Sequence, residues 1–272
     1  MRFLQSLQSL QSLLQGAILA TALSFTATAV HAEDLLDTVK TAGVLKVGME
    51  GTYPPFGYRN AQGQLDGFDV AVAKAVADKM GVKAQFITTE WSGIIAGLQA
   101  GKFDVIVNQV SMTPARKQAL DFTQPYVYSA VQVLQRSNDK REFGSLEELK
   151  GKSVGVTLGS NYAELAKAVP GIQVQTYPGT SENLRDLAAG RIDAALNDRL
   201  MLPYLIKNAN LPLRTGALLA GTKLEMGIPY RKGNPRFAKA IDDALTALQQ
   251  DGTLRKLSIQ WLGTDASQPL AQ

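Results

Sequence analysis

The segment from Gly101 to Tyr126, GKFDVIVNQVSMTPARKQALDFTQPY, constrains the fold of this 272-residue chain more than any other. Its apolar run Val105–Val107 predicts a buried strand, and a turn and Arg116 follow. The polar residues directly after this strand are Asn108, Gln109 and Ser111. In an open α/β sheet, ligands bind beyond the carboxyl ends of the strands, and an arginine there matches a carboxylate in bidentate fashion. The segment therefore predicts an α/β fold with a site for a small anion.

The same pattern recurs in the segment Gly190–Asp198, GRIDAALND. The second copy ends in Asp198, an acid, whereas the first copy leads to the base Arg116. An arginine and an aspartate at equivalent strand ends are suited to hold the two poles of one zwitterion. The alternative is a chance resemblance, because the sequence patterns of helix–turn–strand units are few. The matched pairs are Gly101 and Gly190, Lys102 and Arg191, Phe103 and Ile192, Asp104 and Asp193, and Asn108 and Asn197.

The first 32 residues have the three parts of a secretory signal peptide. Arg2 supplies a positive charge, an apolar stretch follows, and Val30-His31-Ala32 ends in the small-residue pattern of a cleavage site. We expect cleavage after Ala32 and release of the mature chain, from Glu33 onward, into the periplasm. The alternative is an uncleaved membrane anchor, which polar residues within the apolar stretch disfavour. Because no cysteine lies near the cleavage site, we do not expect a lipid anchor.

Composition excludes several classes of function. The chain is 45% hydrophobic and 19% charged, which is typical of a globular protein. Its formal net charge of +4 is dispersed, and no arginine stripe with interleaved aromatic residues predicts nucleic-acid binding. There is no cysteine, and the single histidine, His31, falls in the predicted leader. The mature chain is therefore expected to lack disulfides, Ser-His-Asp triads, and His or Cys metal sites, and we expect no cofactor.

Helix and strand patterns alternate along the rest of the chain, which indicates α/β lobes with largely parallel sheets. Two strand-like runs, near residues 129–134 and 224–228, bracket the second half. The chain is thus expected to leave one lobe, build another and return. We predict a first lobe of residues 33–129 and 226–272 and a second lobe of residues 130–225. The two connecting strands would form a hinge beside a cleft.

Three local predictions follow from residue preferences. The segment Gly51–Phe56, GTYPPF, is expected to be a loop because two prolines cannot lie inside a central strand. Ser92 is the expected N-cap of the helix that ends near Ala100. Glu225–Tyr230 is expected to be a single strand that returns to the first lobe.

Longer motifs resemble those of one protein family. They are GMEGTYPPFGY (48–58), DGFDVAVAKAVADKMG (66–81), the segment at 90–129, LKGKSVGVTLGSNY (149–162), GRIDAALNDR (190–199) and the terminal segment at 230–263. Together they are similar to polar amino-acid-binding proteins of ABC importers, the family 3 extracellular solute-binding proteins. The resemblance covers nearly all of the mature chain and is greatest for the cystine-binding members. The chain departs from the family pattern at Ala71, usually an acid, and at Glu50, where many relatives have aspartate.

The resemblance implies a type II periplasmic-binding-protein-like fold with a two-strand hinge and an interlobe ligand cleft. It also implies how an α-amino acid would be held. Arg116 would clamp the α-carboxylate. The Ser111 hydroxyl and the backbone N–H groups near Ser160 and Asn161, at a helix N-terminus, would donate to the same anion. Asp198 would accept from the α-ammonium.

Further ligand contacts are implied on either side of these poles. Tyr53 and Trp91 would form aromatic walls, and Gln109 and Thr157 would line the strand ends. Glu50 would share the ammonium with Asp198 or reach a distal polar group. Plainer alternatives remain, in which Glu50 is a solvated acid at the rim and Trp91 is a core residue.

The implied function is binding without covalent chemistry. A monomeric protein would close on an amino acid, with cystine favoured, and deliver it to an ABC permease in the inner membrane. One alternative is an enzyme similar to cyclohexadienyl dehydratases, in which Glu50 and Asp198 would transfer protons. Others are a binder of a different polar amino acid and a sensor that docks on a receptor.

Overall fold

A computed structural model describes residues 33–209 and 211–270. The predicted signal peptide, residues 1–32, lies outside the described residues. Among the described helices, none combines the length and apolarity that a bilayer crossing requires.

The first lobe is built mainly from the first third of the chain. Its elements are α1 (Leu35–Ala42), β1 (Val44–Met49), β2 (Thr52–Tyr53), β3 (Gly57–Arg59), β4 (Leu65–Asp66), α2 (Phe68–Lys79), β5 (Lys83–Thr88), α3 (Trp91–Gln99), β6 (Val105–Ile106), α4 (Pro114–Ala119) and β7 (Asp121–Phe122). The second lobe follows without a break. Its elements are β8 (Val127–Arg136), a 3₁₀ turn (Glu147–Leu149), β9 (Ser153–Thr157), α5 (Asn161–Lys167), β10 (Gln173–Tyr177), α6 (Thr180–Ala188), β11 (Ala194–Asp198), α7 (Leu202–Ala209) and β12 (Leu213–Met226).

The chain then returns to the first lobe through β13 (Pro229–Tyr230), α8 (Pro235–Gln250) and α9 (Thr253–Leu262). The first sheet has the order β5–β1–β6–β13–β7, and the second has the order β10–β9–β11–β8–β12. The strands β1, β5 and β6 are parallel, as are β9, β10 and β11, whereas β13, β8 and β12 run antiparallel to their neighbours. The long pair β8 and β12 connects the two lobes. The lobe boundaries at residues 129 and 225 remain a prediction.

Two helix starts position residues of the site. Thr113 caps α4 by accepting a hydrogen bond from the Arg116 backbone N–H, and Ser160 caps α5 by accepting one from Ala163. Helix α2 begins differently, because its N-cap is Gly67 and has no side chain to offer. The carbonyls of Pro55 and Phe56 instead accept the first two N–H groups of this helix.

Three local predictions are wrong. The segment Gly51–Phe56 is not only a loop, because Thr52–Tyr53 pairs with β3 in a small three-stranded sheet while the prolines form the turn. Ser92 lies inside the first turn of α3, since the extended residue before this helix is Glu90. The return run Glu225–Tyr230 is divided between the two sheets, because the chain crosses from one to the other after Met226.

Candidate ligand-binding site

A cavity of about 310 Å³ lies between the lobes, and many of its lining residues follow the carboxyl ends of strands in both sheets. Seven of the ten residues predicted from the sequence line it. They are Glu50, Tyr53, Trp91, Gln109, Thr157, Ser160 and Asn161. The sequence reasoning did not identify the other lining residues as ligand contacts. They are Thr52, Glu90, Asn108, Tyr162, Asn197 and the segment 178–182.

Three predicted residues, Ser111, Arg116 and Asp198, are buried beside the cavity and are not among its lining residues. The Ser111 hydroxyl donates to the sulfur of Met226 at 3.3 Å. Its backbone carbonyl accepts from Arg116, so Ser111 is part of the frame that holds the arginine.

Arg116 lies between the two lobes. Its Nη1 donates to the Ser111 carbonyl at 3.1 Å, and its Nη2 donates to the Gly159 carbonyl of the second lobe at 3.4 Å. The guanidinium also lies over the Trp91 ring, with Cζ 5.3 Å from the ring centroid. Burial lowers the pKa of Arg116, although arginine stays charged in proteins. No ion pair among the described residues includes it, so a buried cation faces two neutral carbonyls.

Asp198 ends β11 and is fully buried. Its Oδ1 accepts from the Ser129 hydroxyl at 2.7 Å and from the Leu200 N–H at 2.8 Å, whereas Oδ2 has no hydrogen-bond partner among the described residues. Burial raises the pKa of Asp198 to about 6, against the hydrogen bond from Ser129, which lowers it. Burial also raises the pKa values of Tyr53 and Tyr162, and the negative charge of Asp198 adds to both shifts.

Glu50 is held by Asn108 through two hydrogen bonds. The Glu50 backbone N–H donates to Asn108 Oδ1 at 3.0 Å, and Asn108 Nδ2 donates to Glu50 Oε2 at 2.9 Å. Burial raises the pKa of Glu50, the bond from Asn108 opposes this, and the nearby charge of Glu90 adds to it. The carboxylate is therefore fixed in the cavity wall.

Tyr53 makes a contact between the lobes. Its hydroxyl donates to Asn197 Oδ1 at 2.9 Å, and its ring stacks on Phe56 with centroids 5.3 Å apart. The same Asn197 oxygen accepts from the Asp198 N–H at 2.8 Å, which fixes the amide.

Gln109 has a backbone φ of 51°, in the left-handed region that residues other than glycine rarely adopt. Its Nε2 donates to Asp69 Oδ1 at 2.7 Å, and its N–H donates to the Tyr126 hydroxyl at 3.3 Å. The Tyr126 hydroxyl in turn donates to Asp69 Oδ1 at 3.0 Å. Asp69 is fully buried, and burial raises its pKa to about 7. Asp69 and Tyr126, which the sequence reasoning did not assign to the site, hold Gln109 in its strained conformation in the cavity wall.

Several buried polar atoms around the cavity lack a hydrogen-bond partner within the described part of the chain. They are the acceptors Gln109 Oε1, Asp69 Oδ2 and Asp198 Oδ2 and the donor Asn161 Nδ2. Buried polar atoms are nearly always paired, so this concentration is typical of a site for a polar ligand.

Two α/β lobes that enclose a small cavity at the carboxyl ends of their strands define a bilobal ligand-binding protein. The cavity combines charged, amide and aromatic side chains from both lobes. The sequence model of the bacterial extracellular solute-binding proteins, family 3, matches residues 45–264, and the chain belongs to this family.

Similar proteins support the same assignment. The L-cystine-binding protein TcyJ of Escherichia coli (strain K12) is 43% identical over 237 residues, which cover 86% of this chain and 88% of that protein. The crystal structure of an ancestral amino acid-binding protein, a precursor of cyclohexadienyl dehydratase, is 32% identical with a TM-score of 0.77, covering 85% of this chain and 100% of that one. An ancestral arginine-binding protein bound to arginine is 38% identical with a TM-score of 0.75, covering 81% and 99%. The predicted two-lobed periplasmic-binding-protein-like fold is confirmed.

Proposed function

We propose that this protein is the substrate-binding component of an ABC importer and that its ligand is L-cystine. The observation that carries the proposal is the presence of a buried cation, Arg116, and a buried carboxylate, Asp198, beside one small interlobe cavity. These two charges match the two poles of an α-amino acid. The 43% identity to an L-cystine-binding protein then favours cystine among the amino acids.

The α-carboxylate of the ligand would bind Arg116. Charge-assisted hydrogen bonds to a carboxylate are stronger than bonds to the neutral carbonyls of Ser111 and Gly159, so the ligand would compete with them successfully. The Ser111 hydroxyl and the start of α5, at Ser160 and Asn161, would add donors to the same carboxylate. The unpaired Asn161 Nδ2 supports this role.

The α-ammonium would bind Asp198, whose Oδ2 has an unused lone pair among the described contacts. Gln109 Oε1 is a second acceptor for the same group, and Thr157 would contact the ligand beside it. Tyr53 and Trp91 would pack against the apolar stem of the ligand.

Further carboxylates in the cavity lining support a ligand with a second polar end. Glu50, Glu90 and Glu182 all line the cavity. Glu182 pairs with Arg185, whereas Glu50 and Glu90 have no ion-pair partner among the described residues, which favours a ligand with a distal cation. Cystine carries a second ammonium, which would donate a hydrogen bond to the Glu50 carboxylate. Arginine has a distal cation as well, and the likeness to an arginine-binding protein makes it the alternative ligand.

Binding would proceed by closure of the lobes about β8 and β12. A ligand that contacts both lobes stabilises the closed form by its differential affinity for that form. The closed, monomeric protein would then dock on an inner-membrane permease from the periplasm, after removal of residues 1–32. Mass spectrometry of the exported protein should give a chain that begins at Glu33, and light scattering should give the mass of a monomer.

A thermal-shift and calorimetry panel tests the ligand. The protein would be unfolded and refolded to remove any ligand that copurifies, and then titrated with cystine, arginine, glutamine, histidine and glutamate. We expect cystine to bind most tightly. If cystine gives no heat and another amino acid does, the ligand is wrong, whereas amino-acid binding is retained.

The second candidate is an enzyme, and the likeness to a precursor of cyclohexadienyl dehydratase favours it. Glu50 and Asp198 both have raised pKa values, as a proton-transferring carboxylate requires. Incubation with prephenate or arogenate distinguishes the two functions, because turnover would contradict the transport proposal. Loss of cystine uptake in a deletion strain would distinguish delivery to a permease from delivery to a receptor.

A further inference from the structure

Asn108 and Asn197 occupy matched positions in the two repeated segments, each at or just beyond the end of a strand in its own sheet. Each hydrogen-bonds a residue of the same short segment after β1. Asn108 bonds Glu50, and Asn197 bonds Tyr53 from the opposite lobe. The amino-acid site proposed above gives neither asparagine a contact with the ligand.

The Asn108 contact is reciprocal and partly buried. The amide oxygen accepts the Glu50 backbone N–H, so the amide cannot rotate without loss of that bond, and the amide nitrogen is thereby directed to Glu50 Oε2. Asn108 is 2% exposed, so its amide is held within the cavity wall. Because the Asn108 donor fixes Oε2 of the Glu50 carboxylate, the orientation of the second oxygen, Oε1, is also fixed.

The Asn197 contact is fixed in a different way. Its Oδ1 is held by the N–H of Asp198, the next residue, and then accepts the Tyr53 hydroxyl. Because Tyr53 belongs to the first lobe and Asn197 to the second, this bond forms only when the lobes approach. It requires no atom of a ligand, so it stabilises closure equally for every ligand.

We propose that Asn108 and Asn197 are positioning residues of the ligand site, Asn108 for the Glu50 carboxylate and Asn197 for the Tyr53 ring in the closed form. The inference rests on the proposed amino-acid binding in this cavity. Asn108 thus acts on selectivity through Glu50, whereas Asn197 acts on the closed population.

The Asn108 role is tested without ligand by carbon-13 NMR titration of the Glu50 carboxyl group in wild type and in Asn108→Ala. The pKa of Glu50 should rise in the variant, because the bond from Asn108 lowers it. Cystine calorimetry then follows a cycle of Asn108→Ala, Glu50→Gln and the double variant. Each single change should weaken binding about tenfold, and the double variant should bind no more weakly than Glu50→Gln alone. An unchanged Glu50 pKa would overturn this role even if cystine is not the ligand.

The Asn197 role is tested with Tyr53→Phe, Asn197→Ala and their combination. Small-angle scattering of the ligand-free protein should show a lower closed fraction in all three. Binding of cystine and arginine should weaken by the same factor, about three- to tenfold, and the double variant should match the single ones. Additive losses, or losses that differ between ligands, would overturn the role.

The controls separate positioning from folding. Asn208→Ala removes an exposed amide that bonds the Tyr204 carbonyl, and it should leave scattering, the Glu50 pKa and affinities as in wild type. Circular dichroism checks each variant, and serine replaces alanine at residue 108 or 197 if an alanine variant fails to fold. If wild type binds none of the amino acids tested, the proposed function fails, while titration and scattering still decide the positioning roles.

Discussion

The guanidinium of Arg116 lies over the indole of Trp91, with Cζ 5.3 Å from the ring centroid. Both residues belong to the first lobe, and the same guanidinium reaches the Gly159 carbonyl of the second. A planar cation stacked on a ring has its donor fork held in one plane, which prepares it for a carboxylate. One side chain therefore contacts Trp91, the second lobe and the proposed site of the ligand carboxylate.

Arg116→Lys should weaken cystine binding at least a hundredfold in calorimetry. Lysine keeps the positive charge, but it lacks the planar fork that binds a carboxylate in bidentate fashion and stacks on Trp91. Lys117→Ala, at the exposed neighbouring position, is the matched control and should bind as wild type does. Wild-type affinity in Arg116→Lys would show that the ligand carboxylate binds elsewhere.

The two tryptophans of the chain should report binding differently. Trp91 lines the cavity, whereas Trp261 packs in α9 against Tyr58, with ring centroids 6.5 Å apart. A ligand that binds Arg116 changes the field on Trp91 directly. We therefore expect Trp261→Phe to keep the fluorescence change on cystine addition and Trp91→Phe to lose most of it. The reverse result would contradict the placement of the ligand beside Trp91.

Affinity and ligand-free stability should respond to pH with opposite signs. The pKa of Asp198 is raised to about 6 by burial, so this carboxylate takes up a proton as the pH falls below that value and can no longer pair with an ammonium. Cystine should bind about tenfold more weakly at pH 5 than at pH 7.5, since each pH unit below the pKa reduces the charged fraction about tenfold. The Asp198 carboxylate also interacts electrostatically with Tyr53, Tyr162, Asp69 and Arg199.

The ligand-free protein should instead become more stable over the same interval. The pKa values of Asp198 and Asp69, about 6 and about 7, lie above those of unfolded aspartate, so the folded state binds these protons more tightly. The gain begins as the pH falls through the folded values and is complete below the unfolded value near 4. Carboxylates with lowered pKa values, such as Asp251 at about 2, titrate below this window. A melting temperature that falls steadily from pH 8 to pH 5 would contradict these assignments.

The sequence predicted strand ends better than it predicted contacts. The run Val105–Val107 ends in polar residues because the sheet core gives way to the cavity, and this local change is readable from the chain. The pairs Asn108–Glu50 and Gln109–Asp69 join residues 58 and 40 positions apart, and no local pattern encodes such contacts. The repeat did mark Asn108 and Asn197, and their matched positions were the one available signal.

The same distinction applies to β2. Its two residues, Thr52 and Tyr53, favour strands but are too few to predict one, and Pro54 and Pro55 argue against it. They pair only because the chain turns back at the prolines and brings Gly57 opposite Tyr53. Pairing with a neighbouring segment overrode the local preference for a loop.

Gly67→Ala should destabilise the protein by about 3 kcal/mol, because it combines backbone strain with overpacking. Gly67 has a φ of 120°, and an added Cβ would press on the Phe56 carbonyl oxygen and lie 2.7 Å from that of Pro55. These carbonyls accept the first N–H groups of α2, so the change also disturbs Asp69, which holds Gln109. Gly63→Ala is the matched control, since its φ is 75° and nothing lies within 4 Å of the added Cβ. It should cost only about 1 kcal/mol in denaturant unfolding. Equal losses in the two variants would show that contact with the Pro55–Phe56 carbonyls is not what requires glycine at residue 67.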